Sequence, residues 1–166
     1  MGGTQRILIV DDNSAIHRDF QKILVGSERH GDIADLERDL FGSSSAGSAS
    51  TQYAISCAES GQAALDLVKR AVQQGQPFSM AFVDMRMPGW DGLETLAQLF
   101  RVQPDLQVAI CSAYMDYSWH EVLARLNRPG LRLLRKPWTS GEVLALVHEL
   151  GARAGHARPA SARRTS

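Results

Sequence analysis

Five polar side chains follow apolar runs in this sequence, at the points where predicted strands end. Asp11 and Asp12 follow the first of these runs, Asp84 follows the third, and Ser112 and Lys136 follow the fourth and fifth. If the runs are parallel strands of one sheet, all five groups emerge at its carboxyl edge, where open α/β sheets bind their ligands. The sequence therefore predicts one polar site assembled from four strands.

Three of these groups are carboxylates, and their chemistry predicts a metal. Carboxylates held close together repel one another and raise each other's pKa unless a cation joins them. Oxygen donors suit a hard divalent cation, so Asp11, Asp12 and Asp84 are predicted to bind Mg2+. Lysine is scarce, with three lysines among 18 basic residues. Lys136 is therefore interpreted as a specific ammonium that reaches a single oxygen, a task that the wide guanidinium fork of arginine suits less well.

Strand and helix signals alternate along the chain and define the predicted fold. Apolar residues recur at helical spacing after each predicted strand, and the second strand is expected at residues 53–58. The predicted helix caps are Asn13 or Ser14, Ser60, Ser118 with Glu121, and Thr139 with Glu142. Five strands alternating with five helices predict an α/β fold with a doubly wound parallel sheet.

Residues 1–150 are predicted to form one domain that contains an insertion and is followed by a tail. Residues 26–52 separate the first helix from the second strand, where a few residues would suffice. We expect an insertion there with a short helix and a flexible half rich in small polar residues, which either packs on the domain or serves in docking. Residues 151–166 hold four arginines and no acid, and we expect a disordered basic tail.

Composition excludes several classes of protein. The chain has 166 residues, 44% of them hydrophobic, which suffices for one full core. No apolar run approaches the roughly 18 residues of a membrane span, and no signal-peptide region precedes the first strand, so a cytoplasmic protein without membrane attachment is predicted. The two cysteines form no CxxC pair, which argues against a zinc site. Four tail arginines without interleaved aromatic residues argue against nucleic-acid binding.

Four short segments occur in order between residues 6 and 150. They are residues 7–13 (ILIVDDN), 82–92 (FVDMRMPGWDG), 111–113 (CSA) and 136–138 (KPW). Together they resemble the receiver domain of two-component response regulators, and the insertion resembles that of a receiver subgroup. The resemblance implies a flavodoxin-like fold and an aspartate that takes phosphate from a histidine kinase or a histidine phosphotransfer protein. It also implies that the domain catalyses only its own phosphorylation and dephosphorylation.

The resemblance assigns a role to each site residue by its position in the motifs. Asp84 would be the phosphoacceptor, and Lys136 and Ser112 would contact the phosphoryl oxygens. The implied metal ligands are Asp12 directly, Asp11 through a water, Asp84, and the backbone carbonyl of Arg86. The peptide bond between Lys136 and Pro137 would be cis.

The signalling switch departs from the usual receiver pattern. Receivers commonly carry Tyr or Phe three residues before the lysine, and this chain has Leu133 there. We hypothesise that Tyr114 substitutes for that aromatic residue, and that phosphorylation changes the face formed by helix 4, strand 5 and helix 5. Tyr114 and Arg86 are also expected to obstruct the attacking water, which predicts a phosphoryl form that lasts for minutes. The predicted partners are the phosphodonor and a downstream protein, and a homodimer is left open.

Other classes fit the residues less well. A phosphatase of the haloacid-dehalogenase type needs a second acid two residues after its nucleophile, and here that residue is Arg86. A flavin-binding protein would place a phosphate loop where Asp11 and Asp12 would repel phosphate. The alternative that stays open is a degenerate receiver, which would bind proteins independently of phosphorylation.

Overall fold

The computed structural model describes residues 3–26, 51–113, 119–128 and 130–157. The strands are β1 (Gln5–Val10), β2 (Tyr53–Ala58), β3 (Met80–Asp84), β4 (Gln107–Ser112) and β5 (Arg132–Arg135). The helices are α1 (described over residues 14–26), α2 (Gly61–Gln73), α3 (Gly92–Val102), α4 (Trp119–Leu126) and α5 (Ser140–Ala157). Within the described residues, strands and helices alternate as predicted.

All five strands pair in parallel, in the order β2-β1-β3-β4-β5. Side chains alternate between the two faces of the sheet, so each strand contributes to two cores. Leu8 and Val10 of β1 pack with α2, α3 and α4, whereas Ile7 and Ile9 pack with α1 and α5. Helices on both faces of a parallel sheet confirm the predicted doubly wound fold.

Helix caps explain why several elements begin where they do. The Ser60 hydroxyl accepts a hydrogen bond from the backbone N–H of Ala63 at 3.1 Å, which confirms the predicted cap of α2. Thr139 and Glu142 form the predicted reciprocal capping box before α5. The box predicted at the start of α4 lies outside the described residues, because Ser118 is not among them.

The last helix corrects the predicted boundary at residue 150. α5 continues to Ala157, so residues 151–157 are helical and the predicted disordered tail does not begin at residue 151. Gly151 allows a close approach to Gln5 that a Cβ atom would obstruct, and Arg153 forms an ion pair with Glu149 one turn earlier. These contacts and the helix-favouring alanines extend the helix past the predicted end.

Two segments of the prediction lie outside the described residues. They are residues 27–50, which make up most of the predicted insertion, and residues 158–166 of the predicted tail. Of the helices in the described ranges, none has the length and apolar character needed to cross a lipid bilayer.

Candidate functional site

The register of the sheet brings the predicted acids together at its carboxyl edge. Val10 at the end of β1 pairs with Val83 of β3, so the next residue of each strand, Asp11 and Asp84, lies at the same level. On its other side β1 pairs with β2, and the backbone N–H of Asp11 extends that pairing by donating to the carbonyl of Ala58 at 3.1 Å. One carboxylate oxygen each from Asp11, Asp12 and Asp84 lies within 4.8 Å of the others. The predicted cluster of three acids is therefore present.

Lys136 reaches this cluster from the other side of β4. Its backbone N–H donates to the carbonyl of Ser112 at 2.9 Å, which fixes the start of its side chain beside the end of β4. Its Nζ lies 3.1 Å from Asp11 Oδ2 and 3.4 Å from Asp84 Oδ1. One ammonium thus bridges two carboxylates that lie on different strands.

Burial makes the charges of this cluster interact strongly. Asp11 is 2% exposed and Asp84 is 8% exposed, whereas Asp12 faces solvent. Burial raises the pKa of Asp84 and the charge of Asp11 adds to the rise, while the Lys136 ammonium and a backbone hydrogen bond at Arg86 oppose it. Burial alone would lower the pKa of Lys136, but the hydrogen bond to Asp11 and the charges of both acids raise it overall. The Lys136 ammonium therefore stays charged, and the charged form of Asp84 keeps a net free-energy cost that comes mainly from burial.

The loop after Asp84 depends on a glycine. The backbone N–H of Gly92 donates to the carbonyl of Met85 at 3.0 Å and folds the loop back to the start of α3. A Cβ atom at residue 92 would lie 2.7 Å from the backbone oxygen of Asp84, closer than real Cβ contacts allow. Asp91 then caps α3 by accepting from the N–H of Glu94 at 2.9 Å. The backbone of the predicted phosphoacceptor is therefore held by close packing against α3.

The remaining predicted site residues have different surroundings. Ser112 ends β4, where it is buried and pairs with Arg135, the residue before Lys136. Arg86 is exposed. Leu133 on β5 is half-buried and packs against the core under α3 and α4. Tyr114, the hypothesised substitute for the switch aromatic, lies outside the described residues.

One implied feature of the site is confirmed, and two others were missed by reading the sequence alone. The peptide bond between Lys136 and Pro137 is cis, as implied by the resemblance. Trp138 received no predicted role, yet its ring centroid lies 5.9 Å from Lys136 Nζ. Asn13 was predicted only as a helix cap, and its backbone N–H also donates to Asp11 Oδ1 at 2.9 Å. The signal for Trp138 was its place in the motif, two residues after the lysine.

The donor set of the cluster suits a hard cation. All its ligand atoms are carboxylate oxygens, and three negative charges face a single ammonium. A divalent ion would remove this excess of negative charge, and oxygen donors are those that Mg2+ and Ca2+ prefer. The residues present therefore fit the predicted metal.

The comparison with protein families decides the classification. The family profile described as the response regulator receiver domain matches residues 37–148, more than half of the chain. The chain belongs to the response regulator receiver family. Accepting a phosphoryl group is the general function of receiver domains. Asp84, Ser112 and Lys136 lie within the matched residues, whereas Asp11 and Asp12 precede them and join the site through the register of β1 with β3.

Solved structures show the same fold at low sequence identity. A CheY-like receiver domain protein from Methanospirillum hungatei is 20% identical, with a TM-score of 0.64 over 93% of this chain and 99% of that one. The signal receiver domain of an HD domain-containing protein from Pseudomonas fluorescens is 18% identical, with a TM-score of 0.66 over 94% and 93% of the two chains. CheY in a CheX-CheY-BeF3-Mg complex from Borrelia burgdorferi is 18% identical, with a TM-score of 0.61 over 88% of each chain.

One relative found by sequence is a much longer protein. The hydrogenase transcriptional regulatory protein HoxA of Cupriavidus necator is 30% identical over 81 residues. The aligned region covers 48% of this chain and 16% of HoxA, so the chain spans only a small part of that relative's length.

Proposed function

We propose that this receiver accepts a phosphoryl group on Asp84 from the phosphohistidine of a histidine kinase or a histidine phosphotransfer protein. The observation that carries the proposal is the shared ammonium: Lys136 Nζ lies 3.1 Å from Asp11 and 3.4 Å from Asp84. Two buried acids with one cation leave a negative charge unbalanced at the carboxyl end of β3, where Asp84 lies. Such a group is suited to attack phosphorus, and its neighbours are suited to stabilise the product.

The proposed reaction forms one bond and breaks another. A carboxylate oxygen of Asp84 bonds to phosphorus, the P–N bond of the donor breaks, and its electron pair leaves on the imidazole nitrogen. Apart from the bond to Asp84, the protein takes no covalent part in phosphoryl transfer, so catalysis consists mainly of positioning the reactants and neutralising their charge. The fixed backbone at Asp84, held by the close packing of Gly92, serves the positioning.

Lys136 and Ser112 are proposed to stabilise the transferred group. The Lys136 ammonium already lies at the Asp84 carboxylate, so it is placed to contact a phosphoryl oxygen added there. Ser112 ends the neighbouring strand and supplies a hydroxyl donor on the same edge. Ser112 ends β4 and Lys136 directly follows β5, and the backbone hydrogen bond between them fixes where their side chains begin.

The acid cluster is proposed to hold Mg2+, through Asp11, Asp12, Asp84 and the backbone carbonyl of Arg86. A bound divalent ion supplies charge neutralisation for the oxygens of the phosphoryl group. The similar CheY of Borrelia burgdorferi was solved in a complex that contains magnesium, which supports this choice of ion.

Signalling is proposed to follow from the added charge. A phosphoryl group brings about −1.5 to −2 charges and strong acceptor oxygens, which attract donors such as the Ser112 hydroxyl and Lys136. We propose that the response reaches the face of α4, β5 and α5, where a downstream protein binds. Leu133 packs under α4 and contributes a passive apolar contact there. The switch role of Tyr114 and the obstruction of water by Tyr114 and Arg86 remain parts of the same proposal.

The proposal includes the setting of the domain. Residues 1–150 together with the helical extension to Ala157 form the receiver, which acts in the cytoplasm on its own phosphorylation only. The relation to HoxA suggests that such a receiver controls transcription as part of a longer regulator.

Intact-mass measurement tests the proposal directly. The protein is incubated with acetyl phosphate and Mg2+, and a gain of one phosphoryl group is expected. Asp84→Asn removes the nucleophile and should abolish the gain. The matched control is Asp66→Asn, the same change at an exposed position of α2, which should be phosphorylated as the wild type is. A wild-type protein that gains no mass would contradict the proposal and favour the phosphorylation-independent binding module.

A further inference from the structure

Lys136 has a positioning problem that its ion pairs alone do not solve. Its side chain is 23% exposed and carries four methylene groups, so it can leave the acid cluster by rotating about its bonds. It borders an open groove of about 500 Å3 that is also lined by Ile16, Asp19 and Trp138. Asp19 offers a competing carboxylate in this groove. A group that holds the ammonium beside Asp84 would therefore affect the proposed reaction.

Trp138 lies where it can hold the ammonium. Its ring centroid is 5.9 Å from Lys136 Nζ, within the distance of about 6 Å at which an aromatic face attracts a cation. Tryptophan has the strongest such attraction among the aromatic side chains. The same ring lines the groove into which Lys136 would otherwise turn.

Trp138 is itself held in place relative to the phosphoacceptor. Its ring contacts Phe20 of α1, with centroids 5.2 Å apart at 54°. Phe20 is fully buried and contacts Phe82, with centroids 4.8 Å apart at 50°. Phe82 precedes Asp84 by two residues on β3. Two ring contacts thus connect the indole to the strand that carries the nucleophile.

We propose that Trp138 is a positioning residue, whose indole face holds the Lys136 ammonium beside Asp84 and Asp11 and thereby speeds phosphoryl transfer to Asp84. This inference rests on the proposed function of Asp84. It differs from a packing role because it acts through the charge of Lys136. An aliphatic side chain could fill the same space but would not attract the ammonium.

Two substitutions of Trp138 distinguish the effect of its aromatic face from the effect of losing side-chain volume. Trp138→Phe keeps an aromatic face and Trp138→Leu removes it, while both shorten the side chain and reduce the contact with Phe20. With acetyl phosphate and Mg2+, we expect the phosphorylation rate to fall about two- to fivefold in Trp138→Leu and less in Trp138→Phe, as a cation–π contact at a partly exposed site allows. Equal rates in the two variants would overturn the proposal.

A double-mutant cycle with Lys136→Met shows whether the effect passes through the ammonium. In the Lys136→Met background, Trp138→Leu should cause no further loss, because no cation remains to be held. A loss of the same factor as in the wild-type background would mean that Trp138 acts by packing alone. If the wild type is not phosphorylated on Asp84, the proposed function fails instead, so the two failures can be told apart.

A spectroscopic measurement keeps the proposal testable if a variant folds poorly. An indole face near Nζ should shift the signals of the Lys136 Cε protons upfield in the wild-type protein. The shift should persist in part in Trp138→Phe and vanish in Trp138→Leu. Wild-type Cε protons at the position of an exposed lysine would overturn the proposal.

Discussion

β3 has a buried polar cluster near each of its ends, and the two clusters are built differently. At the amino end, the side chain of Gln103 donates to the carbonyl of Phe78 at 2.6 Å and accepts from its N–H at 3.3 Å. At the carboxyl end, Asp84 and Asp11 share the ammonium of Lys136. The first cluster is neutral and pairs its groups one to one. The second holds two buried charges of one sign and one of the other.

The two clusters show that buried polar groups can serve either to hold the fold together or to keep charge available for a ligand. A neutral amide with matched partners satisfies the backbone without excess charge, so it fixes the loop at Phe78 to the end of α3. The acid cluster keeps a penalty, visible in the raised pKa of Asp84, that a metal or a rearranged cation can relieve. Stability is therefore expected to depend on ligands and pH at one end of β3 only.

The largest effect is expected at the neutral cluster. Gln103→Leu keeps a similar side-chain size but leaves the buried N–H and C=O of Phe78 without the partner they have now. We expect a loss of about 2–4 kcal/mol in the free energy of unfolding, because each unsatisfied buried group costs about 1–3 kcal/mol. Urea unfolding measures this loss, with Gln73→Leu on the exposed side of α2 as the control. A loss below about 1 kcal/mol would contradict the structural role, as would a dependence on Mg2+ that differs from the wild type.

The acid cluster could be predicted from the sequence because strand ends are local signals. An apolar run precedes each of Asp11, Asp84, Ser112 and Lys136. Parallel strands bring the residues at their carboxyl ends to one edge of the sheet, independently of the conformation of the connecting loops. The capping box of Thr139 and Glu142 was equally readable, because its spacing and residue types are local.

The neutral cluster and the aromatic support of Lys136 could not be predicted in this way. Gln103 pairs with Phe78 across 25 residues, and nothing in the residues next to either one indicates the other. The contact of Trp138 with Phe20 depends on where α1 and the loop after β5 lie once the sheet has formed. The extension of α5 past residue 150 depends on its packing against Gln5, a residue at the far end of the chain.

A smaller effect is expected on removing the shared cation. Lys136→Met leaves Asp11 and Asp84 facing each other without their ammonium, so the folded state should lose about 1–3 kcal/mol at neutral pH, less than for a fully buried pair. Mg2+ should restore part of this loss, by about 1.4 kcal/mol at ten times its dissociation constant. Thermal unfolding with and without Mg2+ measures both effects.

The control for this variant is Lys69→Met, which removes an exposed lysine from α2. That variant should unfold as the wild type does at every Mg2+ concentration. If Lys136→Met were as stable as Lys69→Met in the absence of Mg2+, the acid cluster would not depend on its cation, and the contrast between the two ends of β3 would be lost.

The smallest effect concerns the pH dependence of stability at Asp84. Its pKa in the folded protein is raised above the ordinary value of 3.8, so the folded state holds this proton more tightly than the unfolded chain does. The stability that the raised pKa contributes is fully present below about pH 3.8, where Asp84 is protonated in both states. It is lost as the pH rises through the pKa of the folded protein. Asp84→Asn removes this loss, so the variant should be more stable than the wild type at neutral pH, by about 1 kcal/mol.

The difference in unfolding free energy between Asp84→Asn and the wild type, measured in urea across the acid range, isolates this residue from the other acids. It should grow with pH and then level off, whereas Asp66→Asn should show no such growth. A difference that shrinks as pH rises would mean that Asp84 gains stability from its ion pair with Lys136. Asp84 would then resemble Gln103 in stabilising the fold. A growing difference instead means that Asp84 stays charged at a cost to the fold, which a bound divalent cation can relieve.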